Sequence, residues 1–291
     1  MGPGFKYHVV TISAIFFALT VGLIVGSLFL SPLLAASQLK AVRNLQDLYK
    51  TDIQVQRPQL DQYRTFVAEA LPSLLKNRLA HKVVAVVQAG DYSSALPPIK
   101  EALEMAGARV EVITIGSSLD RSDELLTGHL IQAQADDPRV PADRAALMDT
   151  LARILASGTR QNPEALTVLE RAKLAFTDGE SDYSAAANFV VIVGGSRLVN
   201  PEKAQNVYQP LTVAFQNHGL AMVACEPDNA AFSDMQVYRG LHLDVGTVDN
   251  VNTDIGRCAL VYALFGDKDD YGIKATAKRL MPSLTVKSST P

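Results

Sequence analysis

The sequence predicts an α/β protein with one N-terminal transmembrane helix, a helical coiled-coil-like stalk and a doubly wound, mainly parallel α/β domain. Three observations predict it: an uncharged apolar stretch, a heptad-like repeat after it, and short β-branched runs that alternate with helical stretches. The predicted boundaries are a tail over 1–8, a membrane helix over 9–34, a stalk over 37–80, the α/β domain over 81–281 and a flexible tail over 282–291.

Composition excludes some classes of partner and site. The formal net charge of −3 over 291 residues gives no basic footprint, so no nucleic-acid partner is expected. The two cysteines, Cys225 and Cys258, are far apart and form no CxxC, so a structural zinc site is not predicted. They either pair in an oxidising compartment or stay as two buried thiols.

The apolar stretch over 9–30 contains no charged residue. As a helix it is about 33 Å long, which matches a hydrocarbon core of about 30 Å. A cleaved signal peptide is the alternative, because small residues at 35–37 offer a cleavage site. A signal's apolar region usually runs about 7–15 residues, so the length favours an uncleaved anchor in membrane lipid.

Small residues recur every four positions along one face of this helix, at Ala14, Ala18, Gly22 and Gly26. Such a stripe lets two helices approach closely in lipid and favours a homo-oligomer. The alternative is that Gly and Ala are simply common in membrane helices.

The stalk shows apolar residues at alternating steps of four and three, interrupted by two glutamines. The seam consists of Val42, Gln46, Tyr49, Ile53, Gln56, Leu60, Tyr63, Val67, Ala70 and Leu74. Pro58 is expected to bend or interrupt the helix, and Pro72 to start or break a later turn. The segment is either a coiled coil that continues the membrane oligomer or a helix packed on its own domain. An unpaired apolar seam favours the coiled coil.

The α/β domain is predicted from apolar β-branched runs that end at glycines or turns. Four or five strands, mainly parallel, are expected; the clearest are 82–88, 109–115, 188–193 and 220–225. Helices are expected between them, including 99–106, 142–156 and a last one over 253–265.

Two loops are candidates for ligand binding, because ligands of such sheets bind at the carboxyl ends of strands. Gly194 and Gly195 follow a strand and offer backbone N–H groups to an anion, or simply form a turn that needs positive φ. Neither GxGxxG nor GxxxxGK[ST] occurs, so no nucleotide cofactor is predicted.

The second loop runs over 246–256 and carries Asp249, Asn250, Asn252 and Asp254. It fails the EF-hand pattern, since the turn glycine and the bidentate glutamate are missing. Residue 252 or 253 as an N-cap, with an acid in the first turn, explains much of this composition. A ligand role and a capping role both stay open.

No catalytic residue is predicted. The sequence has no G-x-S-x-G elbow and no paired-histidine spacing, and acids at 267, 269 and 270 are expected in an exposed turn. The soft copper ligands Cys and Met are not grouped into MxxM or CxxC. We therefore expect a protein that is not an enzyme.

The two ends of the chain resemble a known family. The C-terminal signature is Val248-Asp-Asn-Val251, an Ala- and Leu-rich helix over 259–265, Tyr271-Gly272 and Leu280-Met-Pro282; the N-terminal match is YHVVTISAIFFALTVGLIVGS. Both are similar to the mycobacterial copper-transport outer-membrane protein family (MctB-like). The resemblance implies a cell-envelope protein with an extracytoplasmic body and a part in copper efflux or homeostasis. Copper as a cofactor is implied only by this resemblance.

The leading hypothesis is a single-pass envelope protein of this family, homo-oligomeric through anchor and stalk. Other envelope proteins are possible partners. Lys40 and Arg43 flank the anchor and slightly favour a cytoplasmic body, whereas the resemblance favours the opposite side, which we prefer. One alternative is a scaffold that organises cell-wall or division machinery through its coiled coil. Another is an enzyme or small-molecule sensor that uses the strand-end crevice.

Overall fold

The computed structural model describes residues 3–160, 163–179, 183–200, 202–240, 245–266 and 268–284. The chain divides into two compact units, residues 1–65 and residues 66–291. The predicted tail over 282–291 lies mostly outside the described residues, as does Asp267.

Helix α1 runs without a break from Pro3 to Leu75. Its segment Tyr7–Gly26 has a mean hydropathy of 2.5, is not buried, and is long and apolar enough to cross a membrane by length and composition. The helix also continues through Pro58 and Pro72, so the expected interruption at either proline is wrong, whereas a bend at Pro58 stays a prediction. A proline removes one backbone hydrogen bond, and the bonds of the neighbouring turns keep a helix of this length together.

A mixed seven-stranded sheet forms the centre of residues 66–291, in the order β3-β2-β1-β4-β5-β6-β7, counted over the described chain. The strands are β1 Val83–Gln88, β2 Arg109–Ile115, β3 Ala175–Thr177, β4 Phe189–Val193, β5 Ala221–Cys225, β6 Gly246–Val248 and β7 Asp270–Tyr271. Only β3 is antiparallel to its neighbour among these strands.

The helices that follow are α2 Leu96–Met105, α3 Asp123–Asp136, α4 Arg144–Ser157, α5 Ala165–Arg171, α6 Gln209–Asn217, α7 Met235–Gly240 and α8 Asp254–Ala263. Short 3-10 turns cover Ser93–Ala95 and Ser117–Asp120, and one π-helical turn covers Ala204–Tyr208. Glycines at 107, 158 and 219 follow helix ends with positive φ, as C-terminal caps do.

Alternate residues of each central strand enter two different cores. In β1, Val84 and Val86 pack with α2, α8 and the last turns of α1, whereas Ala85 and Val87 pack with α3 to α6. This alternation follows from the two-residue period of a strand and buries both faces of the sheet. Strand order reverses between β1 and β4, and such a reversal marks the carboxyl edge where α/β sheets bind ligands.

The four clearest strands are confirmed to within one residue, and three short strands were not predicted. Of these, β7 corrects a specific expectation: Asp270 lies in a strand opposite Thr247, with its side chain 16% exposed. The expected exposed turn is therefore wrong at this position, because pairing with β6 draws the acid inward. The doubly wound topology and the coiled coil of the stalk stay predictions.

Candidate functional site at the carboxyl edge of the sheet

The crevice between the ends of β1 and β4 is closed by backbone contacts. The N–H groups of Ala89 and Gly90 donate to the carbonyl of Val193 at 2.9 and 2.8 Å, and Asp91 N–H donates to the Gly195 carbonyl at 2.8 Å. A Cβ on Gly90 would overlap the backbone of the loop after β4, so only glycine fits there. The place where an open α/β sheet usually binds its ligand is thus filled by the chain itself.

The predicted residues Gly194 and Gly195 lie in this loop, with protein acceptors for both N–H groups. Gly194 donates to the Cys225 carbonyl at 2.7 Å, and Gly195 donates to Asp234 Oδ2 at 2.6 Å. Gly195 has a φ of +92°, which favours glycine in a tight turn. An internal carboxylate therefore occupies the position that an external anion would take.

Asp234 is buried and accepts hydrogen bonds from uncharged donors. Besides Gly195, these are the Tyr208 hydroxyl and the Ser196 hydroxyl, the latter at 3.2 and 3.3 Å. Burial raises the pKa of Asp234 above its ordinary value, while the hydrogen bonds and the charge of Lys203 oppose this rise. Burial and the neighbouring Asp234 also raise the pKa of Tyr208.

Lys203 extends this network to the loops after β1 and β2. Its side chain is only 3% exposed, and Nζ lies 3.5 Å from Asp91 Oδ1 and 3.7 Å from Asp120 Oδ2. It also lies 5.9 Å from the centre of the Tyr208 ring. Burial raises the pKa of Asp120, and Lys203 lowers it. Lys203, which lies in the segment after β4, thus connects that segment to the loops after β1 and β2.

Glu226 comes directly after β5 and is fully buried. It accepts hydrogen bonds from the Ser233 hydroxyl, from Asp234 N–H at 2.7 Å and from Lys274 Nζ at 2.5 Å. Burial raises the pKa of Glu226, against the effect of Lys274 and Ser233. The backbone of residue 234 therefore binds one carboxylate, while its side chain binds the loop after β4.

The predicted residue Asp249 is fully buried and holds the turn after β7. It accepts hydrogen bonds from the N–H groups of Ile273 at 2.7 Å and Lys274 at 3.3 Å, and from Arg239 Nη1 at 3.0 Å. Arg239 also donates to Thr247 and to the Tyr271 carbonyl. All these contacts fix chain segments to one another.

The other predicted residues of this loop serve local contacts. Thr253 Oγ1 accepts the Gly256 N–H at 3.0 Å, which confirms the N-cap of α8. Asn252 forms two hydrogen bonds with Asp228, and Asp254 pairs with Arg257. Asn250 is buried, and its Oδ1 has no hydrogen-bond partner within the described part of the chain.

The structure joins the two predicted loops by one path of hydrogen bonds. It runs from Asp249 through Lys274 and Glu226 to Asp234 and Gly195. Three residues on this path, Lys274, Glu226 and Asp234, were not predicted, and neither was Lys203 on a branch of it. Glu226 carried a usable signal, because an acid directly after a predicted buried strand lies at the carboxyl edge. Asp234 and Lys203 lie far from any strand in sequence and carried none.

The soft metal ligands do not converge. Cys225 and Cys258 are buried free thiols in the core on one face of the sheet, whereas Met222 and Met235 lie in the core on the other face. Burial raises the pKa of both thiols, to about 11 for Cys258, which disfavours the thiolate that binds metals. Within the described ranges, no group of three or more His, Cys, Asp or Glu side chains is arranged to hold a metal ion.

A cavity of about 380 Å³ lies apart from this network, between α3 and α5. Its lining includes His129, Asp137, Arg171 and Lys173, so both signs of charge are present. His129 Nε2 lies 2.8 Å from the Ala172 carbonyl, which fixes the ring against α5. The mixed charge gives no preference for an anion or a cation.

The small residues predicted for helix association all lie in α1, within Tyr7–Gly26. Ala14, Ala18 and Gly22 are exposed, and a Cβ added to Gly22 or Gly26 would meet no atom within 4 Å. The stripe is therefore open for contact along its length.

Comparison with known proteins agrees with the pattern at the chain ends. No curated protein matches the sequence. A family model does match, and it covers residues 4–282, which include the apolar segment, the stalk and the whole sheet. The chain therefore belongs to the family described as copper transport outer membrane protein, MctB.

Proposed function

We propose that this protein is a single-pass envelope protein that contributes to copper efflux or homeostasis. The observation that carries the proposal is the family match over residues 4–282, nearly the whole chain. The family description names copper transport and the outer membrane, and the segment Tyr7–Gly26 is suited to anchor the chain in lipid.

The site geometry supports a role in binding or assembly instead of catalysis. The strand-end crevice is closed between Gly90 and the loop after β4, and the buried carboxylates there bind groups of the protein itself. A catalytic group needs reach to a substrate atom. In this proposal the domain is not an enzyme, and copper is cargo or a regulated ion with no resident site assigned.

The proposal also covers the finer points of architecture. The protein self-associates through the stripe at Ala14, Ala18, Gly22 and Gly26 and through the stalk, and its body lies on the extracytoplasmic side. The α/β domain is of the doubly wound class, which the strand-order reversal between β1 and β4 supports. The comparison gives no support to the alternative of a scaffold for cell-wall or division machinery.

A deletion strain grown across a series of copper concentrations tests the function. We expect reduced tolerance and altered cell copper, both restored by the intact chain. Phe17→Lys puts a charge at the centre of the apolar segment, at about 2.5–3.5 kcal/mol, and should abolish the rescue. Tyr7→Lys at the segment's edge is the matched control and should rescue fully, because its amine reaches the interface. Unchanged tolerance and copper content in the deletion strain would remove the proposal.

A second experiment tests the side of the membrane. Glu104 is exposed on α2, and Glu104→Cys adds an accessible thiol to a chain whose own two thiols are buried. A membrane-impermeant thiol reagent added to whole cells should label this variant. Labelling only after the cells are broken would place the domain in the cytoplasm.

A further inference from the structure

One face of α1 between residues 46 and 63 exposes apolar side chains to solvent. We call this face the stalk seam and define it as Gln46, Ile53, Gln56, Leu60 and Tyr63. Ile53 is 51% exposed, Leu60 is 52% exposed and Tyr63 is 69% exposed. Apolar side chains exposed to this degree are unfavourable in water. A partner that buries this face of the helix would therefore be stabilising.

The stalk seam follows a heptad register. Gln46, Ile53 and Leu60 take position a, and Gln56 and Tyr63 take position d. The outermost position f then holds Asn44, Thr51, Pro58 and Thr65. Polar residues and the proline thus fall on the face opposite the seam, where a missing backbone N–H does not disturb contacts between helices.

The charged positions beside the seam distinguish the two possible directions of a partner helix. Position e is basic in three successive heptads, at Lys50, Arg57 and Arg64, and all three side chains are exposed. Position g carries Asp52 and Gln59 in the sequence. Arg64 has an exposed ion pair with Asp61 at 3.9 Å, which is long and therefore weak.

In an antiparallel pair, position e of one helix faces position e of the other, so these bases would repel one another. In a parallel pair, position g faces position e of the partner's next heptad. Arg57 then falls opposite the partner's Asp52, and Arg64 falls opposite the partner's Gln59. The pattern of charges favours the parallel arrangement.

We propose that the stalk seam pairs with the same segment of a second copy of this chain as a parallel, in-register, two-stranded coiled coil. The basic row at position e fixes its direction. The proposal rests on the self-association included in the proposed function and specifies its geometry. A membrane anchor at the N-terminus of each copy is consistent with it, since both helices then leave the same membrane in the same direction.

Disulfide trapping of the full-length chain in its membrane tests the geometry. Single cysteines are placed on the seam, at Gln46, Ile53, Gln56, Leu60 and Tyr63, and on the outer face at Asn44 and Thr65. The wild-type chain, with two buried thiols, is the blank. Because a disulfide needs Cβ atoms within about 4.5 Å, we expect at least about five-fold more dimer at seam positions than at outer ones.

Same-residue crosslinks at both Gln46→Cys and Tyr63→Cys require a parallel, in-register pair. An antiparallel pair crosslinks only near its midpoint, and a single helix crosslinks at none of these positions. Either of those patterns overturns the proposal, as does equal crosslinking at seam and outer positions.

Charge exchange tests the role of the basic row. Arg57→Asp, combined with Leu60→Cys, should lower the crosslinked fraction roughly five-fold, because two symmetric contacts become repulsive. Adding Asp52→Arg should restore it. The matched control is Gln54→Asp at the exposed position b, which adds an acid outside the interface and should leave the yield unchanged.

A yield that falls with Arg57→Asp and is not restored by Asp52→Arg would overturn the role of the basic row and assign it to anionic lipid headgroups. These crosslinking experiments measure neither copper nor growth. Loss of the seam crosslinks with intact rescue of copper tolerance therefore refutes this inference alone. Intact crosslinks with no copper phenotype refute the proposed function alone.

Discussion

Two buried carboxylates at the carboxyl edge of the sheet are held in different ways. Asp249, beside β6 and β7, has a guanidinium in direct contact, with Arg239 Nη1 at 3.0 Å. Asp234, near β4 and β5, accepts only from Tyr208, Ser196 and a backbone N–H among the described contacts, and Lys203 acts on it through space. The first carboxylate is clamped by an arginine, whereas burial raises the pKa of the second above its ordinary value.

Asp249 therefore holds the sheet edge through its ion pair, whereas Asp234 is a group at this edge whose protonation makes stability depend on pH. A buried charge without a paired cation favours its neutral form, so Asp234 gains a proton at higher pH than an exposed acid. An acid paired with a buried cation leaves an unpaired charge behind when it is removed.

Asp249→Ala should have the largest effect. It leaves the Arg239 guanidinium, itself 6% exposed, with only the longer contact to Asp270 at 3.5 Å among the described carboxylates. It also removes the acceptor of the N–H groups of residues 273 and 274. Breaking a buried ion pair costs about 3–5 kcal/mol, and the remaining contact with Asp270 places this variant at about 3 kcal/mol, the lower end of that range. Chemical unfolding of the full chain in detergent, followed by tyrosine fluorescence and circular dichroism, measures the loss.

Asp254→Ala is the control for Asp249→Ala, since Asp254 also pairs with an arginine but is partly exposed. It should cost far less. If the two variants lose equal stability, Asp249 is not a clamp. Replacing the pair together, by Asp249→Asn with Arg239→Met, should recover part of the loss, because the buried guanidinium is then gone and Asp270 keeps its contact with Lys278 at 2.8 Å.

Gly272→Ala should come next, at about 2 kcal/mol, the range for backbone strain of one residue. Gly272 has a φ of +131°, and a Cβ there would overlap the Asp249 carboxylate. Gly219→Ala is the matched control, because Gly219 has a φ of +70° and open space around its Cβ. Unfolding midpoints of the two variants separate strain from overlap. A Gly219→Ala variant as unstable as Gly272→Ala would show that the contact with Asp249 contributes nothing.

Much of the fold was predictable because its main signals are local. The runs that became β1, β2, β4 and β5 are apolar, β-branched and ended by turns, so each strand lies within one residue of its predicted bounds. The N-cap of α8 was likewise limited to residues 252 and 253 by residue type and position, and the structure shows that Thr253 takes this role.

The missed strands depend on contacts that the local sequence does not show. Strands β3, β6 and β7 span two or three residues each, and β7 contains an aspartate that is typical of turns. Their conformation comes from pairing with a neighbour in the sheet, such as Thr247 with Asp270. Pairing within the sheet therefore outweighs the low intrinsic preference of these residues for a strand.

Only part of the candidate site was predictable, because some of its residues carry a local sequence signal and others do not. Asp249 and Gly195 lie at or next to strand ends, and the sequence singled them out. Asp234 lies nine residues after β5, in a segment without a periodic pattern, and reaches Gly195 only through the folded loops. A contact between residues so far apart in sequence cannot be recognised from a local sequence pattern.

Asp234→Asn should change stability by only about 1 kcal/mol at pH 7, since one acceptor is lost and one buried charge is removed. Its informative effect is on pH dependence. The pKa of Asp234 is raised in the folded chain, so folding takes up a proton, and wild-type stability rises as the pH falls through that folded pKa. The gain is complete below the unfolded value of about 3.9.

The measurement for Asp234→Asn is the difference in unfolding free energy between wild type and variant at several pH values from 7 down to 4.5. The raised pKa of Glu226 acts in both proteins and cancels in that difference. The charge of Asp234 contributes to the raised pKa of Asp120, so that rise is smaller in the variant and adds to the difference in the same direction. Wild type should gain on the variant as the solution becomes more acidic. A difference that stays flat or shrinks toward acid would mean that Asp234 is not the responsive group.

Ser196→Ala should have the smallest effect on stability, below about 1 kcal/mol, because the two bonds from its hydroxyl to Asp234 are long at 3.2 and 3.3 Å. It nevertheless removes a donor that lowers the pKa of Asp234, so the acid gain should begin at higher pH. The same change made in the Asp234→Asn background should lose this pH effect, since no carboxyl is left to titrate. If the shift persists there, the hydroxyl acts on another acid, and Asp234 does not explain the pH response of this edge.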